Sequence, residues 1–214
     1  MWPKIGTCIS SSILPRLNGC QEYIGSVESV SLNATYASVL IDGRVYLHQI
    51  ERGDGRTTIF PRKEDEKTIT CASIVGNFLI YAHSNGRLQY YSLVDGQEVN
   101  EYKHANGIRK CFPNHEGTRV ALIDTAGTAW LYNPINDDCI QILDFPLTAD
   151  RVLWDSSDAT IFVACDQFNL HTFVYSQIEV GGSGRSIRYS NSPRILQGLW
   201  GMPRNPCAFL RVWR

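Results

Sequence analysis

The sequence predicts an all-β chain made of four repeated hairpin units, and three observations carry that prediction. First, an apolar run, a polar turn and a second apolar run recur in VLIDGRVYLHQI (39–50), YAHSNGRLQYYSL (81–93), LIDTAGTAWLYNP (122–134) and VACDQFNLHTFVYS (163–176). Second, the residue just past each turn is Val45, Leu88, Ala129 or Leu170, in steps of 43, 41 and 41 residues. Third, three residues further on stand His48, Tyr91, Tyr132 and Phe173, a mostly aromatic column. A hairpin repeat of about 40–45 residues is the period of a β-propeller blade of the WD40 type. An unrelated sandwich with regular hairpins is the competing all-β reading, but unequal strands do not readily produce a constant step.

Blade one is read as about 24–66, blade two as 67–106, blade three as 107–149 and blade four as 150–177. In blade one, Asp42-Gly43 is a two-residue hairpin signal, because both residues of a type I′ turn need positive φ. Glu51–Lys67 follows as a charged insertion, expected to be a solvated loop. Asn85-Gly86 gives blade two the same turn signal. Blade three opens with His104, turns at Phe112–Gly117, runs a strand over Arg119–Ile123, turns at Gly127 and continues through Ala129–Tyr132. Phe168-Asn169 replaces the glycine turn in blade four, which is expected to lack its outer strand.

Residues 1–23 are expected to be an irregular N-terminal segment, and 178–214 a basic, disordered tail. The expected fold is therefore a partial propeller of about four blades in an open ring. Its end faces would be apolar and exposed, which invites association.

Blade three departs from the regular WD pattern. Lys103 replaces the usual glycine before the histidine, Tyr132 the tryptophan and Asn133 the aspartate. The Asp–His–Ser–Trp hydrogen-bond network of a regular blade is not expected to form as written. Packed apolar faces are expected to hold the blades instead.

Charge narrows the partner classes. The formal net charge is −1, but all six basic residues after Glu179 are arginines with no acidic residue among them, which leaves −7 for residues 1–179. An acidic body has no basic stripe for nucleic acid. The seven cysteines (8, 20, 71, 111, 139, 165 and 207) are scattered without CxxC pairs, as in reduced intracellular chains. Asn33-Ala34-Thr35 fits the glycosylation pattern, yet no secretory signal supports it. No run approaches the length of apolar residues that spans a bilayer, about 18 or more. These features predict a soluble, cytosolic chain that inserts into no membrane.

Cys111 and His115, with His104, form a CxxxH cluster that lacks a second ligand pair for zinc, so no metal site is expected. Gly181-Gly182-Ser183-Gly184-Arg185 lacks the Lys-Ser or Lys-Thr of a phosphate loop and reads as a flexible linker. Asp137-Asp138 reads as a turn pair, and Asp42, Asp124 and Asp166 as recurring turn residues. The innermost strands, VSL (30–32), ITCAS (69–73), IRKCF (108–112) and RVLW (151–154), carry no convergent acid–base set. No catalytic, cofactor or metal residue is therefore expected, and no cofactor. Arg44, Arg87, Arg109 and Arg119 are candidates for ionic contacts with a bound peptide, although solvated surface positions explain them as well.

A resemblance sharpens this picture. It rests on EYIGSVESVSL (22–32), DGRVYLHQIE (42–51), FLIYAHSNGRLQYY (78–91), VNEYKH (99–104), FPNHEGTRVALID (112–124), PINDD (134–138) and DFPLTADRVLW (144–154). These residues resemble part of the second propeller of the large WD-repeat subunits of intraflagellar transport complex A. The resemblance runs from roughly 22 to 177; Met1–Cys20 matches nothing, and the sequence after Gln177 is expected to be foreign to the pattern, as in a truncated or alternatively spliced product.

The resemblance implies a non-catalytic scaffold for retrograde transport and cilium assembly. It implies other complex A subunits as partners, with residence in the cilium, basal body and cytoplasm. A propeller adaptor of a vesicle coat or ubiquitin ligase is the alternative, and a propeller hydrolase or lyase a remote one.

Overall fold

The computed structural model describes residues 22–50, 57–62, 68–149, 151–166, 169–179 and 183–190, of which 176–179 and 183–190 are described by backbone alone. Every regular element among them is a strand. Sixteen strands form four separate antiparallel sheets of four, each in simple chain order.

The first sheet holds β1 (Val27–Leu32), β2 (Tyr36–Ile41), β3 (Arg44–Gln49) and β4 (Thr57–Phe60). The second holds β5 (Ile69–Val75), β6 (Phe78–His83), β7 (Arg87–Ser92) and β8 (Gln97–Lys103). The third holds β9 (Ile108–Pro113), β10 (Val120–Asp124), β11 (Ala129–Asn133) and β12 (Asp138–Gln141). The fourth holds β13 (Arg151–Trp154), β14 (Ile161–Cys165), β15 (Leu170–Glu179) and β16 (Ser183–Ser190). Successive sheets meet at their first strands, β1 against β5, β5 against β9 and β9 against β13. No comparable packing joins β13 back to β1 among the described residues. This is a partial WD40-type propeller with an open ring.

Turn chemistry positions the hairpins. Asp42 and Gly43 both take positive φ, 48° and 72°, as the type I′ reading of that pair requires. The second hairpin differs from its reading. Among the described residues only Gly86 of that turn has positive φ, 90°, and its amide donates to the His83 carbonyl at 3.0 Å. The loop is therefore one residue longer, spanning Ser84–Gly86, and needs a left-handed residue only at its end. Gly127 repeats this with φ 83° and a 3.1 Å bond to the Asp124 carbonyl. In the fourth sheet the Asp166 carboxylate accepts from the Asn169 amide at 2.6 Å; Phe168 lies outside the described residues.

The core is a series of joints between sheets. Leu40, Val45, Leu47 and Phe60 of the first sheet pack on Leu79, Tyr81, Tyr91 and Leu93 of the second. Ile80, Ala82, Leu88 and Tyr90 pack on Val120, Leu122 and Tyr132 of the third. Ala121, Ala129 and Leu131 pack on Phe162, Ala164, Phe173 and Tyr175 of the fourth. Alternation along each middle strand is what lets one sheet serve two joints. Of the aromatic column, Tyr91, Tyr132 and Phe173 are buried, and His48 is half-buried at the free end.

Two expectations are corrected. Glu51–Lys67 is not loop throughout, because Thr57–Phe60 is the outer strand of the first sheet, paired with β3 from Val45↔Phe60 to His48↔Thr57. The run is only four residues, TTIF, and of its two apolar residues Ile59 is exposed and Phe60 fully buried, too short a pattern to mark a strand. The fourth sheet also has its outer strand. β15 runs past Gln177 to Glu179 and pairs with β16 from Thr172↔Ser190 to Glu179↔Ser183. Ser183 and Gly184, read as linker, belong to that strand. A Gly/Ser-rich tip resembles a linker in composition, but it also suits a hairpin turn. Residues 191–214, the rest of the expected tail, lie outside the described residues, as does the 1–21 part of the N-terminal segment.

Candidate functional site

The loops that join β2 to β3, β6 to β7 and β10 to β11 sit at one end of the sheets, with the loops that lead from one sheet to the next. Backbone hydrogen bonds fix this: Ile69 donates to the Gly43 carbonyl at 3.1 Å, His104 to Gly86 at 2.8 Å and Thr125 to Gly107 at 2.8 Å. The approach is close enough to require glycine at two points. A Cβ on Gly86 would lie 2.5 Å from the Asn106 oxygen, and one on Gly107 would lie 2.1 Å from the Ser84 oxygen.

The second, third and fourth sheets each place a buried polar group, His83, Asp124 and Asp166, beneath this loop end. In the third it is Asp124, 1% exposed. Its Oδ2 accepts from Asn106 Nδ2 at 3.0 Å and Trp130 Nε1 at 3.2 Å, and its Oδ1 accepts from the Thr128 amide at 2.8 Å. His104 Nε2 faces the same carboxylate at 3.5 Å, too far or too oblique for a hydrogen bond, and the ring packs edge-on against Trp130. Burial pushes the Asp124 carboxyl up, but the Asn106, Thr128 and Trp130 donors outweigh it and hold the group below the usual range. The regular Asp–His–Ser–Trp network is thus absent, as expected, and Asn106, Thr128 and Trp130 serve Asp124 in its place. The indole comes from Trp130, two residues before the expected position and on the same face of β11, so the loss of tryptophan at Tyr132 does not matter. Tyr132 instead donates its hydroxyl to Asp137 Oδ1 at 2.9 Å at the far end of the strand.

The equivalent positions behave alike. His83 lies 41 residues before Asp124. It contacts Thr68 Oγ1 at 2.7 Å through Nδ1 and Gln89 Oε1 at 3.1 Å through Nε2. Gln89 in turn donates to Glu98 and Glu101. Asp166 accepts from Thr148 Oγ1 at 3.2 Å and faces His171 Nε2 at 3.7 Å. In the first sheet the corresponding residue is Asp42, 41 before His83; His48 lies toward the far end of β3, where it contacts the Tyr23 hydroxyl at 2.5 Å and Thr57 Oγ1 at 3.0 Å, and burial lowers its pKa. Of this set, the recurring turn aspartates of the sequence mark Asp124 and Asp166 but not His83. The 41-residue step alone points to it.

Side chains also bridge the joints. Ser31 Oγ accepts from the Ile74 amide at 2.9 Å, Thr70 Oγ1 donates to the Ile108 carbonyl at 2.7 Å, and Trp154 Nε1 donates to the Phe112 carbonyl at 2.8 Å. Among the described residues, polar side chains thus hold turns within a blade and tie neighbouring sheets together.

The candidate arginines divide. Arg44, Arg87 and Arg109 stand at the loop end, next to the turn of β2–β3, the turn of β6–β7 and the loop that enters β9. Arg87 pairs with Glu101 at 2.7 Å, and Arg109 is exposed. Arg119 lies at the opposite end, with its guanidinium 4.8 Å from the Tyr175 ring of the next sheet, and so belongs to a joint.

The cysteine–histidine cluster does not assemble. Cys111 is buried, and contact with the Cys71 side chain, then burial, push its thiol well above the usual range. His115 lies in the turn after β9, 3.6 Å from Glu116. No group of three or more metal-ligating side chains occurs among the described residues. Nor is any helix among them long and apolar enough to cross a membrane.

Comparison with known proteins gives this architecture a family. The sequence model of the WDR19 second β-propeller matches residues 14–194. WD repeat-containing protein 19 of Homo sapiens is 35% identical over 189 residues, covering 82% of this chain and 14% of that protein. Its counterpart in Mus musculus is 33% identical with the same coverage. WD repeat-containing protein dyf-2 of Caenorhabditis elegans is 27% identical over 179 residues, covering 81% of this chain and 13% of that protein. The chain therefore spans about 14% of the length of the curated relatives it matches. The family match also extends beyond both limits of the resemblance read from sequence, so residues 178–194 are not foreign to the pattern. With its family model matched over residues 14–194, most of its length, this chain belongs to the WDR19 second β-propeller family.

Proposed function

We propose that this chain is part of a non-catalytic scaffold of intraflagellar transport complex A, acting in retrograde ciliary transport and cilium assembly through protein–protein contacts. The observation that carries the reading is the family match over residues 14–194. The geometry supports it, because the buried polar groups are committed to turns and joints. Asp124 holds the Thr128 amide, His83 holds Thr68 and Gln89, and Asp166 holds Thr148, each within its own blade. The expected partners are other complex A subunits, and the expected locations are the cilium, basal body and cytoplasm. Residues 24–190 are read as the propeller unit, with 1–23 and 191–214 as flanking segments. The exposed loop end around Arg109 is the surface proposed to face a partner.

Affinity capture of the protein, tagged at its own locus in ciliated cells, tests the reading. Recovery of complex A subunits and signal at the basal body and along the cilium are expected. Recovery of vesicle-coat or ubiquitin-ligase subunits in their place would overturn it.

A further inference from the structure

Three of the four free cysteines among the described residues meet at one joint. Cys111 is buried in the cluster between the second and third sheets, and Cys71 and Cys139 pack against that cluster. Cys71 stands on β5 and Cys111 on β9, the first strands of the two sheets, which pack on one another. Alternation along each strand turns the two side chains toward the same joint. On β5, Cys71 and Val75 face the third sheet, while Ile69, Ala72 and Ile74 face the first. On β9, Ile108 and Cys111 face the second sheet, while Phe112 faces the fourth.

Strand register sets the height of the pair. Thr70 is an extra residue on β5, since Ile69 pairs with His83 and Cys71 with Ala82. A bulge of this kind re-aims a side chain. Here the Thr70 hydroxyl reaches across the joint and donates to the Ile108 carbonyl at 2.7 Å. That bond ties β5 to β9 one residue before Cys71 and three before Cys111. The Cys111 thiol is in hydrogen-bonding contact with the Cys71 side chain, and this contact is the largest influence that keeps its proton on. Cys139, the third thiol of the joint, meets the Tyr102 hydroxyl instead.

We propose that Cys71 and Cys111 are a reversible redox pair, whose disulfide staples the second blade to the third when the chain meets a hydroperoxide. Burial divides the roles. Cys71 is half-buried and open to the oxidant, whereas Cys111 is buried. Cys71, as its thiolate, attacks one peroxide oxygen; an S–O bond forms, the O–O bond breaks, and water leaves a sulfenic acid behind. The Cys111 sulfur then attacks the Cys71 sulfur; the S–S bond forms, the S–O bond breaks, and hydroxide departs as water with the Cys111 proton. Two thiols thus give two electrons to one hydrogen peroxide, and the products are one disulfide and two waters. A dithiol reverses the change. The loop so closed holds all of β6, β7 and β8, so the two sheets stay joined while the bond lasts. The inference rests on a joint between two internal blades and stands whether or not the ciliary reading holds.

Hydrogen peroxide applied to the folded 214-residue chain tests it, followed by thiol alkylation, trypsin digestion without reductant and mass spectrometry. The peptide Thr68–Arg87 should appear joined to Cys111–Arg119, lighter by two hydrogens than their sum. Closing a loop of about 40 residues should raise the melting temperature by roughly 5–15 °C. Dithiothreitol should abolish both the link and the rise. Cys71→Ser should leave Cys111 a free thiol after peroxide. Cys111→Ser should stop at the Cys71 sulfenic acid, which dimedone captures; if that variant loses its β-sheet circular dichroism, Cys111→Ala replaces it. Cys139→Ser should change neither the link nor the rise. Free Cys71 and Cys111 after treatment would overturn the proposal. So would Cys139 in the link in place of either, a link that leaves the melting temperature unchanged, or one that forms as fast in urea as in the folded chain.

Discussion

Replacing Asp124 with asparagine isolates what its carboxylate does. The side chain keeps its shape and one oxygen, so the 2.8 Å bond from the Thr128 amide survives. The other oxygen becomes an NH2 group facing Asn106 Nδ2 and Trp130 Nε1, which had donated to it at 3.0 and 3.2 Å. Two donors beneath the loop end then lose their acceptor. A hydrogen bond to a charged group contributes about 1.5–3 kcal/mol, and the two share one oxygen, so the expected loss is about 3 kcal/mol rather than their sum. For a domain of this size that lowers the melting temperature by roughly 6–12 °C.

Thermal and urea melts at matched protein concentration measure it. A shift under about 2 °C would sink the claim that this network holds the third blade. The pH dependence supplies an independent check. The folded pKa of Asp124 is depressed, so its stabilisation is full above the unfolded value of about 3.9 and is lost as pH falls through the lower folded value. The gap between the two proteins should be widest at neutral pH and close in acid. A gap that persists unchanged into acid would show that shape, not charge, was responsible.

Three further substitutions probe the joints and turns. Trp154→Phe keeps a ring against Phe162 but removes the donor to the Phe112 carbonyl, and should lower stability by about 1–2 kcal/mol in urea melts. Gly107→Ala puts a methyl 2.1 Å from the Ser84 oxygen and should cost more than about 3 kcal/mol, since backbone must move. Gly127→Ala meets nothing within 4 Å, so only its positive φ is strained, and a cost of about 1 kcal/mol is expected. The ranking of the two glycine variants by melting temperature decides whether contact or φ dominates at this end.

The repeat was legible because its signal is redundant. Turn, apolar step and aromatic column all return at nearly the same interval, so loss of any single residue leaves the period intact. Outer strands were less legible for a physical reason. They face a neighbour on one edge and solvent on the other, so β4 needs only Phe60 to anchor it, and a four-residue strand with one buried residue has no periodicity to detect. The substitute contacts of Asp124 are hidden from a position-by-position match to the WD pattern. A hydrogen bond needs an indole N–H within reach, and Trp130 supplies that from a neighbouring site on the same strand face. The candidate arginines show the opposite limit: their spacing gave no hint that Arg119 sits at the other end and stacks on the next sheet.

The fourth blade offers the sharpest test of that lesson. Reading the pattern as ending near Gln177 leaves β15 as an outer edge, whereas the structure pairs it with β16 from Thr172 to Glu179. The two readings predict different behaviour for a chain ending at Gln177. If the later residues were foreign to the fold, removing them would leave solubility and melting temperature unchanged. If β16 belongs to the blade, the cut strips a partner from most of β15 and exposes its N–H and C=O groups along an edge. Edges of that kind recruit other chains. The shortened chain should therefore melt lower and aggregate faster than one ending at Asn191, with static light scattering during a thermal ramp as the readout. Equal onset temperatures for the two would return the blade boundary to Gln177.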